Sequence, residues 1–339
     1  MPRSLPSRQF WIQSPGRGEI LPRELPAVVQ GALRIRTLFS GISRGTEGLV
    51  FRGEVPASQH DALRAPFQEG SFPGPVKYGY CSVGRVEAIP DRLPAHLPPD
   101  LLGRAVFVLY PHQDFYWVLP DAVTPLPTDV PPERAVLAAN METAVNVVWD
   151  GAPAPGDRIV VVGAGVIGLL VAWLCRPIPG CRVTLVDVDP GRAAVAEALG
   201  LNFADDGGGR LEPGSADLVF HASGNPDGLV RSLELAADEG TIVEASWFGT
   251  RNVTLPLGEA FHSRRLTLRS SQVGRIPTHH APRWSFHRRM ELAVRLLRAP
   301  ELDALISGES DFEELPDVMR RLSASSVDTL CHRIRYAGA

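Results

Sequence analysis

The chain is nearly without lysine: of its 34 basic residues Lys77 is the only one, the rest being arginine. A preference for arginine codons accounts for the bias, but not for why this one lysine persists. Cysteine is equally thin. Cys81, Cys175, Cys181 and Cys331 are scattered, which excludes the paired short spacings of a zinc knuckle or a disulfide framework and leaves them as small reduced core residues. No apolar run reaches about 18 residues and the opening "MPRSLPSRQFWIQ" has no signal-peptide core, so neither a membrane partner nor a leader is expected and the cytoplasm is the default location. An excess of positive charge is also missing. With a net charge of -4, a nucleic-acid partner is not expected. Internal repeats and low-complexity tracts are absent too.

What is present describes a globular protein. The 339 residues are 44% hydrophobic and 21% charged, enough for two domains that each bury a core. The strongest local signal is "DRIVVVGAGVIGLLVAWLC", residues 157–175, a β-branched strand that runs through Gly163, Gly165, Val166, Ile167 and Gly168 into an apolar helix. A dinucleotide pyrophosphate needs this arrangement: a tight turn, a glycine where backbone approaches phosphate, a glycine where helix packs on strand, and a helix N-terminus. A second strand, "CRVTLVDVD", follows and carries Asp187, placed to accept hydrogen bonds from a ribose. That carboxylate would repel a 2'-phosphate, so NAD(H) is the expected cofactor.

Further strand-like runs lie at 216–223, 240–246 and 265–271, with the helical stretches "DPGRAAVAEALG" and "GLVRSLELAADEG" between strands. Alternation of this kind predicts an α/β fold with a doubly wound parallel sheet. The preceding region is rich in Pro and Gly with short alternating strands, as in "GALRIRTLFSGIS" and "GRAVFVLYPHQDFYWVLP", which reads as a compact β domain. The tail is helical and then closes in the strand-like "TLCHRIRY", a terminal strand of the type that returns to an N-terminal sheet. The expected division is residues 1–128, 129–283 and 284–339, the last returning to the first.

Together "SGISRGTE", the Gly79 turn, the central GAGVIG and the returning tail resemble the medium-chain dehydrogenase/reductase superfamily over essentially the whole chain. The resemblance implies a Rossmann domain beside a GroES-like catalytic domain, a small-molecule alcohol or carbonyl substrate, and a homodimer that pairs through an edge strand near "FHSRRLTLRS". Within the superfamily, "SGISRGTEGLVFRGEVP" is most similar to a zinc-poor branch that includes the bacteriochlorophyllide hydroxyethyl dehydrogenases, which implies a fairly large substrate.

Carried over residue by residue, the resemblance puts Ser43 at the position of a zinc-binding cysteine, and Tyr80 and Cys81 at those of the zinc histidine and its glutamate. Thr46 and Glu47 fall on the relay hydroxyl and the acid, with one extra residue before them, and Glu142 in "NMETAV" falls near the third ligand position. A serine hydroxyl is a poor replacement for a thiolate, so no zinc is expected, although a site rebuilt from Glu47, Cys81, His112 and Glu142 is conceivable. Without a metal the substrate oxygen still needs a hydrogen-bond donor. Tyr80 is the candidate, Thr46 the relay, and Lys77 the charge that would lower the phenol's pKa. The plainer readings make Tyr80 a core aromatic, Lys77 an exposed lysine and His112 a structural histidine. Ser223 and Asn225 in "HASGN", and Thr143 and Asn146 in "ETAVN", are expected near the cofactor's nicotinamide end. Two other functions stay open, a zinc-free enone or quinone reductase and a non-catalytic NAD-binding redox sensor.

Overall fold

The computed structural model describes residues 4–205, 211–324 and 329–339. Two compact units emerge: residues 1–139, 294–300 and 306–339 form the first, and residues 140–293 with 301–305 form the second.

The first unit begins with a hairpin of β1 (Leu5–Ser14) and β2 (Arg17–Leu25), to which β4 (Glu69–Gly70) and β5 (Val76–Lys77) are added in the order β2-β1-β5-β4. The larger sheet is built on β3 (Leu33–Ile42), which leads into α1 (Arg44–Phe51). Beside β3 lie β6 (Ser82–Ala88), β7 (Ala105–Val108) and β9 (Val123–Pro125), while β8 (Phe115–Val118) pairs with the other part of β3. Inward residues alternate along these strands, and Leu33, Ile35, Val86, Val106, Tyr116 and Val118 close into one core. Burying each such side chain contributes about 1.5–3 kcal/mol.

A short helix, α2 (Pro132–Ala135), precedes α3 (Ala138–Gly151), from which the second unit continues. Its sheet contains β10 (Arg158–Val162), β11 (Arg182–Asp187), β12 (Asn202–Asp205), β13 (Ala216–His221), β14 (Ala236–Glu244) and β15 (Thr267–Ser270). All pairings are parallel, in the order β12-β11-β10-β13-β14-β15, so the chain starts in the middle and winds outward in both directions. The strands are connected by α4 (Val166–Cys175), α5 (Arg192–Ala198) and α6 (Pro226–Leu235); α7 (Phe286–Leu296) follows the sheet. Val160, Val162, Val186, Val219 and Ile242 bury one face against Leu229 and Leu233 of α6. Sequence periodicity extends that helix to residue 240, but it stops at Leu235. Ala236 is fully buried and pairs with Ala216, so sheet pairing overrides the helical preference of an Ala-Ala-Asp-Glu run.

The tail supplies β16 (Ile306–Asp311), α8 (Leu315–Leu322) and β17 (Cys331–Arg335). β17 returns antiparallel to β3, pairing His332 with Ile42, and β16 extends the sheet beyond it. Among the described residues, no helix is long and apolar enough to cross a membrane.

Candidate functional site

In the second unit the end of β10 runs into Gly163, whose φ of +106° lies where glycine is favoured. A Cβ on Gly163 would lie 2.5 Å from the Ser223 nitrogen, and one on Gly168 only 1.8 Å from the Gly163 carbonyl oxygen. Both glycines are therefore required by close packing. Gly165, the N-cap of α4, is different: a side chain there would project into open space. Val166 and Ile167 form the first turn, where backbone N–H groups lack partners within the helix. The sequence dictates a cradle with a positive helix end at its mouth, and the residues fit a dinucleotide pyrophosphate.

Asp187 closes the cradle. Its Oδ2 accepts the Ala164 N–H at 2.6 Å and its Oδ1 the Asp189 N–H at 2.9 Å. Asn225 caps α6 by accepting the Asp227 N–H at 3.1 Å. Ser223 is exposed at the same end of the sheet, its Oγ 2.6 Å from Nε2 of the buried His221. The other ring nitrogen lies 2.6 Å from Glu244 Oε2. Neither His221 nor Glu244 was singled out from sequence, although a histidine inside the apolar strand "ADLVFHAS" is a legible signal that a buried partner is required.

On α3, Thr143 is half-buried, whereas Glu142 is buried and accepts from Arg289 Nε at 3.1 Å. Arg289 also donates to the Asn146 side chain and, at 2.6 Å, to the Val273 carbonyl, so one buried guanidinium satisfies three acceptors. Burial raises the Glu142 pKa, with the Arg289 charge opposing it. A carboxylate already facing a guanidinium is a poor zinc ligand.

The first unit brings together Ser43, Glu47, Tyr80 and His112. Ser43 is the N-cap of α1, and its N–H donates to Glu47 Oε1 at 2.8 Å. Glu47 Oε2 takes His112 Nε2 at 2.8 Å, and His112 Nδ1 lies 2.7 Å from Ser40 Oγ. With a carboxylate at Nε2 the ring proton sits there, so Nδ1 accepts the Ser40 hydroxyl. Ser40 Oγ in turn lies 3.1 Å from the Tyr336 hydroxyl. Gly79 makes this assembly possible: its φ is +131°, and a Cβ would stand 2.8 Å from His112 Cδ2. Thr46 is half-buried on the first turn of α1.

The Tyr80 side chain stands beside Ser43, and its ring meets Tyr78 edge-on at 6.0 Å. Burial pushes the phenol well above its usual pKa, and the charges that Tyr78, Cys81 and Glu47 can carry push it further. This corrects the expectation of a phenol made more acidic by Lys77. That lysine is not exposed but fully buried: it forms an ion pair with Glu69, donates to Gln113 Oε1 at 3.0 Å and lies 5.2 Å from the centre of the Tyr110 ring. Its own pKa is lowered by burial, with Glu69 opposing.

A serine hydroxyl and a protonated phenol do not form a zinc donor set. Burial, first of all, also holds the Cys81 thiol well above its usual pKa. Among the described residues, no group of three or more His, Cys, Asp or Glu is placed to hold a metal ion. The residues at these positions do not fit a catalytic zinc.

No protein-family model matches the chain. Related sequences include the uncharacterized zinc-type alcohol dehydrogenase-like protein YphC of Escherichia coli K12, 27% identical over 173 residues that cover 48% of this chain and 47% of the relative. D-xylulose reductase A of Aspergillus oryzae is 28% identical over 170 residues, covering 46% and 47%. The chain thus spans about half the length of these curated relatives. Among solved structures, L-idonate 5-dehydrogenase of Escherichia coli K-12 superposes with a TM-score of 0.78 at 14% identity, covering 98% of this chain and 99% of that one. With its glycine cradle on a doubly wound sheet, the chain is similar in sequence to zinc-type alcohol dehydrogenase-like proteins and shares the fold of L-idonate 5-dehydrogenase.

Proposed function

We propose that the protein moves hydride between NAD(H) and the alcohol or carbonyl carbon of a fairly large small-molecule substrate, and that it does so without zinc. The observation that carries this reading is the placement of Ser43 and Tyr80, the two residues at the positions of lost metal ligands, side by side next to the buried Glu47–His112 pair. Bound NAD(H) supplies the hydride acceptor or donor. The chain's own residues do the remainder. Gly163, Gly165 and Gly168 bring backbone close to the pyrophosphate, with N–H groups of Val166 and Ile167 at the positive end of α4. Asp187 spends one lone pair on each of two backbone N–H groups and keeps others for a ribose diol, which favours NAD over NADP. Ser223, Asn225 and Thr143 are the remaining cofactor candidates.

The raised pKa keeps the Tyr80 phenol protonated, as a donor to the substrate oxygen must be. Ser43 stands beside the phenol, and Thr46 is the hydroxyl that relays the alcohol proton. The buried pair of Glu47 and His112 fixes Ser43 through its backbone N–H. The buried rings of Phe72 and Tyr78 back the Tyr80 ring at about 6 Å and hold it in place. β15 ends the sheet among the described strands and is the surface available for a homodimer.

The test is turnover after metal removal. Protein dialysed against a strong chelator should contain no stoichiometric zinc and oxidise or reduce its substrate with NAD(H) at an unchanged rate. Activity that disappears on chelation and returns with zinc alone would overturn the proposal.

A further inference from the structure

We propose that in the chain free of NAD(H), where Ser223 is not engaged by the cofactor, Ser223, His221 and Glu244 form a reactive site in which the Ser223 hydroxyl is a nucleophile that takes acyl groups from activated esters. The proposal does not depend on hydride transfer. It starts from placement: His221 ends β13, Ser223 stands two residues further on the same side, and Glu244 is the residue paired with His221 on the neighbouring strand. The distances are 2.6 Å from Ser223 Oγ to His221 Nε2 and 2.6 Å from His221 Nδ1 to Glu244 Oε2.

The order of these contacts matters chemically. The carboxylate holds the ring proton on Nδ1, so Nε2 presents its lone pair to the hydroxyl, the tautomer a general base needs. Glu244 is itself fixed, its Oε1 accepting the Ser246 N–H at 2.6 Å. Burial separates the roles. The imidazole is fully buried and the serine is exposed, so the base is shielded while the nucleophile can be reached.

The backbone around Ser223 favours negative charge on its oxygen. The Asn225 N–H donates to Oγ at 3.1 Å, and the ten-residue helix α6 begins immediately afterwards with its positive end at this turn. Gly224 makes the turn with φ of +65°, giving a strand, a sharp serine turn and a helix in sequence.

Gly228 is an independent indication. Glycine in the first turns of a helix costs about 0.5–1 kcal/mol relative to alanine, yet a Cβ here would lie 2.5 Å from Ser223 Oγ and 2.9 Å from His221 Nε2. A helix-disfavouring residue stands where any other would push the serine and histidine apart.

The acyl transfer balances without a further reactant. The Oγ–acyl bond forms as the hydroxyl proton passes to Nε2, and the ester C–O bond breaks as that proton moves to the leaving alkoxide. Water then repeats both steps, releasing the carboxylic acid and restoring the serine.

The full-length protein, free of NAD(H), should be treated with a fluorophosphonate, which forms an Oγ–P bond and expels fluoride, and the modified residue mapped by mass spectrometry. A single adduct on Ser223 is expected, absent in Ser223→Ala and formed about 10²-fold or more slowly in His221→Gln. Glu244→Gln should also slow labelling, because the ring tautomer is no longer enforced. No adduct on Ser223 in the wild-type protein under excess probe, or an equal rate in a folded His221→Gln variant, would overturn the proposal. If that variant does not fold, mapping the wild-type protein still decides.

Discussion

His112 and Glu47, 65 positions apart in sequence, share a hydrogen bond of 2.8 Å with side chains only 1% and 2% exposed. A carboxylate this deeply buried has to be compensated, and His112 Nε2 and the Ser43 N–H do so from two directions. Removing the imidazole leaves the charge under-compensated, whereas an amide at 47 removes it. His112→Ala should therefore cost about 3–5 kcal/mol of unfolding free energy and Glu47→Gln about 1–3 kcal/mol. Denaturant unfolding of both variants checks this. A loss below about 1 kcal/mol for His112→Ala would show that the pair does not hold the turn.

Lys77 predicts a pH effect on stability. Its folded-state pKa is lowered from 10.5 by burial, so its contribution to stability is present above the unfolded value and is lost as pH falls through the lowered folded value. Lys77→Met has no such group. Thermal melts from pH 10.5 downward should show the variant gaining on the wild type across that window. A constant difference would contradict the assignment.

In the proposed function Asp187 would link cofactor choice to the architecture of the turn, because its Oδ2 accepts the Ala164 N–H that follows Gly163. Asp187→Ser should narrow the preference for NADH over NADPH and also weaken NADH, since the cradle loses its anchor. Calorimetric titration with both cofactors measures the two effects. Tighter binding of NADPH than NADH by the wild-type protein would reverse the reading.

The fold was legible where the signal is local. Glycines 163, 165 and 168, the β-branched run before them and the Asp at the end of the next strand are set by backbone chemistry within about 30 residues. The return of β17 to β3 was legible from its strand pattern and terminal position. Partnerships across long separations were not. Nothing near Glu142 announces Arg289, 147 positions away, or near Glu47 announces His112. Sequence proximity offers Lys77 as the charge beside Tyr80, and burial frequencies offer the alternative of a surface lysine; Glu69 and Gln113 instead provide it with partners inside. The charge thought to be available to Tyr80 is therefore neutralised elsewhere, and the phenol's pKa rises instead of falling.

A pH profile follows from that correction. A phenol held well above the usual value of 10.0 stays protonated across the range in which the enzyme can be assayed, so Tyr80 should produce no deprotonation limb in kcat/KM below pH 10. A limb near neutrality that disappears in Tyr80→Phe would contradict this.

The central claim is that a protonated Tyr80 replaces the metal at the substrate oxygen, and Tyr80→Phe tests it most directly because the ring and its edge-on contact with Tyr78 are kept. Turnover should be measured where hydride transfer limits the rate, confirmed by a slower reaction with deuterated cofactor. Turnover should fall by about 10²–10³ in kcat, with NADH affinity nearly unchanged and stability reduced by no more than the roughly 1 kcal/mol of one hydrogen-bonding hydroxyl. A kcat equal to that of the wild type would remove Tyr80 from the reaction and contradict the account.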